Sequence, residues 1–196
     1  MKKRFLFLII LSITACLSAL PQEKPMKDGR HKWGFDLGYG FQSGLDVNYF
    51  YEVYLFQYQY YFTLAGKEKW AFEAIAQPQF NLTRFKESDD SPVITRGYEC
   101  GLNAGLLLRG NLIIGRMSPY IFISTGPHYI SGAPDRQSPG FIFSDNLFTG
   151  LNIGLNEAIS FDLRFGFRHI SNAGLEDPNG GINTFVVNIG LLMHHW

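Results

Sequence analysis

The chain has 196 residues with 17 Lys plus Arg against 17 Asp plus Glu, so its formal net charge is zero. That length suits one domain with a sizeable core, and the absence of a basic surplus argues against a partner held by its phosphate backbone. Aromatic residues make up 16% and charged residues 17%, where an ordinary soluble domain carries about a quarter charged; with 18 Phe, 10 Tyr and 21 Gly the balance favours strands over helices.

Lys2, Lys3 and Arg4 precede a short apolar run from Phe5 to Ile13, and small residues Ala15, Ser18 and Ala19 follow. This is the pattern of a secretory signal peptide over residues 1–19, too short to span a membrane. Removing those three basic residues from 17 leaves 14 against 17 acidic ones. Ile13-Thr14-Ala15-Cys16 also resembles a lipobox, which would lipidate Cys16; ordinary cleavage after Ala19 is the plainer expectation. Either way Cys100 is the one cysteine left in the domain, which excludes an intrachain disulfide framework.

After residue 20 no run is long and apolar enough for a membrane helix. The pattern alternates with period two instead, in segments of about ten residues, the repeated signature of a membrane barrel. In the first strand Trp33, Phe35, Leu37, Tyr39 and Phe41 alternate with Gly34, Asp36, Gly38 and Gly40. The second lies within Val47 to Thr63 and the third spans roughly Trp70 to Leu82. The fourth sets Tyr98, Cys100, Leu102, Ala104, Leu106 and Leu108 against Glu99, Gly101, Asn103 and Gly105. The fifth is expected around Pro119 to Tyr129 and the sixth from Leu147 to Leu155. The seventh sets Ile159, Phe161, Leu163, Phe165 and Phe167 against Ser160, Asp162, Arg164, Gly166 and Arg168. The eighth runs from about Asn183 to Trp196, a chain end in an aromatic residue.

One face of these strands is bulky and apolar and the other polar or Gly, as in a small barrel turned inside out toward lipid. Long connections follow the third, fifth and seventh strands: Phe85 to Gly97, Ile130 to Asn146 and Ser171 to Gly181. Short ones fall at Leu64 to Lys69 and Asn156-Glu157, while Arg109 to Ser118 is long for a periplasmic turn. The expectation is all-β: an eight-stranded antiparallel transmembrane β-barrel over residues 32–196, after a periplasmic lead-in at 20–31, with the long loops outside. The inward residues Asp36, Glu73, Glu99, Arg109, Asp162 and Arg164 then read as a buried polar core, because a barrel this small is filled by side chains. His194 and His195 are adjacent and point to opposite faces, which suits a terminal polar girdle better than a metal site.

The stretch Phe167-Arg168-His169-Ile170-Ser171-Asn172-Ala173-Gly174-Leu175, followed by Pro178-Asn179-Gly180-Gly181-Ile182-Asn183, carries chemistry. His169 and Ser171 share a face of the seventh strand, and by parity it is the lipid-facing one. A His and a Ser ending a lipid-facing row are out of place as structural residues, and they are neighbours, as a nucleophile and its base must be. The bland alternative is the polar rim where any barrel strand leaves the membrane.

The string His169-x-Ser171-Asn172-Ala173-Gly174, then Pro178-Asn179 and Gly181-Ile182, resembles the lipid A 3-O-deacylase family, eight-stranded outer-membrane barrels that hydrolyse the 3-position acyl ester of lipid A. The resemblance implies an outer-membrane hydrolase acting on lipid A of lipopolysaccharide, with Ser171 as nucleophile, His169 as its base, and Asn172, Gly174 and Asn179 as oxyanion or positioning groups. It implies no metal and no cofactor. Where the family has a Glu as third triad member this chain has Asn183, which can orient an imidazole but carries no charge; Glu176 and Asp177 are nearby carboxylates that the motif does not place. Asn183 therefore keeps open a second reading, a non-enzymatic small barrel with a structural, adhesive or binding role, and a third, an acyltransferase barrel.

Overall fold

The computed structural model describes residues 31–42, 49–67, 69–110 and 116–194. The expected signal peptide, almost all of the lead-in, Cys16, His195 and Trp196 lie outside these residues. Eight strands follow in order: β1 His31–Gln42, β2 Tyr51–Lys67, β3 Trp70–Phe85, β4 Thr95–Gly110, β5 Met117–Ile130, β6 Gly140–Gly154, β7 Ile159–Ser171 and β8 Ile182–His194. Each pairs antiparallel with its neighbour and β1 pairs with β8, which closes the barrel. Closure leaves no unpaired edge, the condition for a sheet to stand in lipid.

The alternation read from the sequence becomes the two faces of the wall. Trp33, Phe35, Leu37, Tyr39 and Phe41 are exposed outward, as are Leu102, Leu106 and Leu108 on β4 and Leu163 and Phe165 on β7. Cys100 lies on the same outward face of β4. Inside, the six ionic residues expected there are all buried. Glu73 accepts from Lys32 Nζ at 2.7 Å and from Arg109 Nη2 at 2.7 Å. Arg164 pairs with Asp36 at 2.6 Å and Asp162 at 2.5 Å, joining β1 to β7, and Tyr120 Oη donates to Asp162 at 2.7 Å. Glu99 takes both Arg168 and His128. Apolar residues fill the remaining inner space, including Val53, Leu55, Leu107, Phe122, Ile142, Ile170 and Val186.

Several strands run longer than the periodicity suggested. β2 and β3 continue until Lys67 pairs with Trp70, with a register shift between Thr63 and Ala65, so the strands take up most of the expected six-residue turn. β4 and β5 extend to Gly110 and from Met117, which shortens the segment that looked too long for a periplasmic turn. β6 begins at Gly140 instead of Leu147. Its outward column reads Phe141, Phe143, Asp145, Leu147, and the charge at Asp145 broke the apolar alternation that marks a strand. His194 points inward, buried, with Nε2 2.8 Å from Ser160 Oγ, and so belongs to the polar interior instead of an outer girdle.

Candidate active site

The end of β7 and the start of β8 meet at the rim that carries the connections 86–94, 131–139 and 172–181. Strand pairing sets His169 directly opposite Asn183. Both side chains lie on the outward, lipid-facing side, in line with Phe167 and Phe185, and both are half-buried. His169 Nδ1 stands 2.7 Å from Asn183 Oδ1. An amide oxygen accepts, so Nδ1 is the donor in this contact. Ser171 is two residues further on the same face and half-buried, and its Oγ makes no hydrogen bond among the described residues.

The connection 172–181 is held by its own side chains. Asn172 Oδ1 accepts from Gly174 N at 3.0 Å, its Nδ2 donates to Glu176 O at 2.6 Å, and its backbone N–H donates to Asn179 Oδ1 at 3.0 Å. Asn172, Gly174 and Asn179 are thus brought together, and most of their donors are spent on shaping the turn. Ala173 adopts φ 56° and Gly174 φ 79°; a left-handed Ala is a strained conformation that persists where its surroundings impose it. Ala173 N–H, Glu176 N–H, Asp177 N–H and both the N–H and Nδ2 of Asn179 make no hydrogen bond among the described residues.

A second layer comes from distant segments. Gly180 N–H donates to Arg136 O at 2.6 Å and Arg136 Nη2 donates to Gly180 O at 2.6 Å. The Arg136 guanidinium lies over the Tyr49 ring at 4.6 Å, and Tyr49 Oη accepts from Asn183 N at 2.7 Å. Buried Gln137 accepts from Gly181 N at 3.2 Å. Sequence reading missed Tyr49, Arg136 and Gln137 because they lie 134, 33 and 32 positions from His169 or Asn183 along the chain and carry no local motif. Gly181 has φ 65°, and a Cβ placed on it would come within 2.6 Å of His169 Cε1. The backbone there is the wall against which the imidazole rests. Gly181→Ala is expected to displace the His169 ring, read as a shift of its imidazole NMR resonances, while leaving the barrel closed on a cold SDS gel.

Pairing also reveals a row that no sequence window showed. Thr125 on β5 pairs with Asp145 on β6, Asp145 with His169, and His169 with Asn183. Thr125 Oγ1 donates to Asp145 Oδ1 at 2.5 Å. Four polar side chains thus cross four adjacent strands on the outer wall. Below them Phe185 stacks on Phe165 at 6.1 Å and meets Phe167 edge-on at 6.0 Å, making an aromatic floor. A concavity of about 700 Å³ opens elsewhere, around Trp70, Leu108 and Tyr120 near the opposite end of the barrel, and none of the row lines it.

The family model for lipid A 3-O-deacylase (PagL) matches residues 26–191. The crystal structure of the outer membrane enzyme PagL aligns with TM-score 0.58 at 16% identity, covering 81% of this chain and 97% of that one. Neisserial surface protein A aligns with TM-score 0.54 at 10% identity, covering 85% of this chain and 98% of that one. At these identities the structural likeness shows the fold alone, a closed antiparallel β-barrel. Comparison with curated protein sequences finds no match. The match of the family model over most of its length assigns the chain to the lipid A 3-O-deacylase family of the outer membrane.

Proposed function

We propose that this protein hydrolyses the ester-linked acyl chain at the 3 position of lipid A, in the outer leaflet, with Ser171 and His169 on the lipid-facing end of β7, beside Asn183 on β8. The observation that carries this reading is the 2.7 Å contact between His169 Nδ1 and Asn183 Oδ1, with Ser171 next on the same face. With Nδ1 protonated and held, Nε2 is the base that takes the Ser171 hydroxyl proton as Oγ attacks the ester carbonyl. The tetrahedral oxyanion then needs donors, and Ala173 N–H and Asn179 Nδ2 are among those left open in the turn. Collapse expels the sugar 3-oxygen, which takes the proton from Nε2, and leaves an acyl-Ser171 ester. Water, deprotonated by the same imidazole, releases the fatty acid and restores Ser171. Asn172 and Gly174 keep the turn in shape. The acyl chains would lie along the wall of Phe165, Phe167 and Phe185, so the site needs no enclosed pocket.

The experiment is mass spectrometry of lipid A from cells expressing the wild type or Ser171→Ala. Wild type is expected to remove one hydroxyacyl chain and Ser171→Ala none. Unchanged lipid A with correctly inserted wild type would instead favour the non-enzymatic barrel, and a gain of one acyl mass would favour an acyltransferase.

A further inference from the structure

Asp145 is an acidic residue in a lipid-facing column. It stands between Phe143 and Leu147 on β6, and Phe141 and Phe143 lie nearer the outer rim than it does, so it is not simply the polar residue where the strand leaves the membrane. A charge on the lipid face of a barrel is costly, and such a residue is a functional candidate by default. Asp145 pairs directly with His169, on the side of β7 opposite Asn183. Side chains directly opposed across antiparallel strands have Cβ atoms about 4.5–5.5 Å apart. Among the described residues of β5 to β8, Asp145 is the acidic side chain on this outer face. The other charged groups near the site are Glu176 and Asp177 in the exposed 172–181 connection and Asp135 and Arg136 in 131–139; Arg168, next to His169 in the chain, points into the barrel toward Glu99.

We propose that Asp145 is a positioning residue of this site: its carboxylate, steadied by Thr125, stabilises the imidazolium that forms when His169 takes the Ser171 proton. The inference rests on the Ser171–His169 reading above. Asn183 orients the ring but carries no charge, and a full negative charge one strand away supplies what the amide lacks, with an attraction strengthened by the weakly screening lipid interface.

The test moves the charge from one flanking strand to the other. Full-length wild type, Asp145→Asn, Asp145→Glu and Asp145→Asn/Asn183→Glu are folded in detergent micelles, with barrel closure checked on a cold SDS gel. Two rates are read: deacylation of purified lipid A, and covalent labelling of Ser171 by a fluorophosphonate, which needs an activated serine but no lipid A. Asp145→Asn is expected to lower kcat and the labelling rate roughly 10-fold or more with KM unchanged. Asp145→Glu and the double variant are expected to recover most of the loss, which a purely structural role for Asp145 would not allow. Labelling of Asp145→Asn at the wild-type rate, or no recovery when Glu stands at 183, would overturn the inference and leave the Ser171–His169 reading intact. A wild type that neither labels nor deacylates, or a Ser171→Ala variant that labels as fast as wild type, would overturn that reading and this inference with it.

Discussion

Replacing Ser171 or His169 by Ala is expected to lower kcat for lipid A deacylation by roughly 10³-fold or more, with little change in KM. The nucleophile and its base act as one unit, because a hydroxyl that keeps its proton is a poor nucleophile and a base without a nucleophile has nothing to activate. The double variant Ser171→Ala/His169→Ala is therefore expected to lose no more than either single variant. What remains would come from the turn donors and from binding along the aromatic wall. Both side chains are half-buried on the outer face, so truncating them leaves the interior untouched, and melting in micelles should stay near wild type. A His169→Ala variant that loses only a few-fold, measured by chain release from purified lipid A, would remove His169 from the role of base.

Glu73→Ala is expected to destabilise the barrel by about 3–5 kcal/mol, read as a lowered urea midpoint for unfolding from lipid vesicles. Glu73 is 0% exposed and holds Lys32 Nζ and Arg109 Nη2, each at 2.7 Å. Removing its carboxylate takes the counter-charge from two cations that the barrel has already withdrawn from water. Replacing the set together, by Lys32→Met, Glu73→Leu and Arg109→Met, is expected to cost far less, because no uncompensated charge is left behind. If Glu73→Ala were as stable as wild type, the interior would have to admit enough water to solvate the cations.

Much of the architecture was legible before any coordinates. Alternation is a local property, and a strand's two faces follow from its period of two. The outward Trp33–Phe41 row, the inward Asp36, Glu99 and Arg164, and the shared face of His169 and Ser171 could all be read from short windows. Strand ends were less legible. At Asp145 a charge sits where the alternation would place an apolar residue, and it hid the first seven residues of β6 inside an apparent loop.

The sequence by itself thus determined the barrel class, the inside-out sidedness and the shared outer face of His169 and Ser171, because each depends on residue type and parity along one strand. Only the tertiary structure decided which side chains face one another. Register is set by pairing between strands and by the lengths of the turns that join them, and closure brings β1 to β8 and β7. It placed Asn183 2.7 Å from His169, set Asp145 on the histidine's other flank, and brought Tyr49, Arg136 and Gln137 behind the turn that holds Asn183 and Gly181.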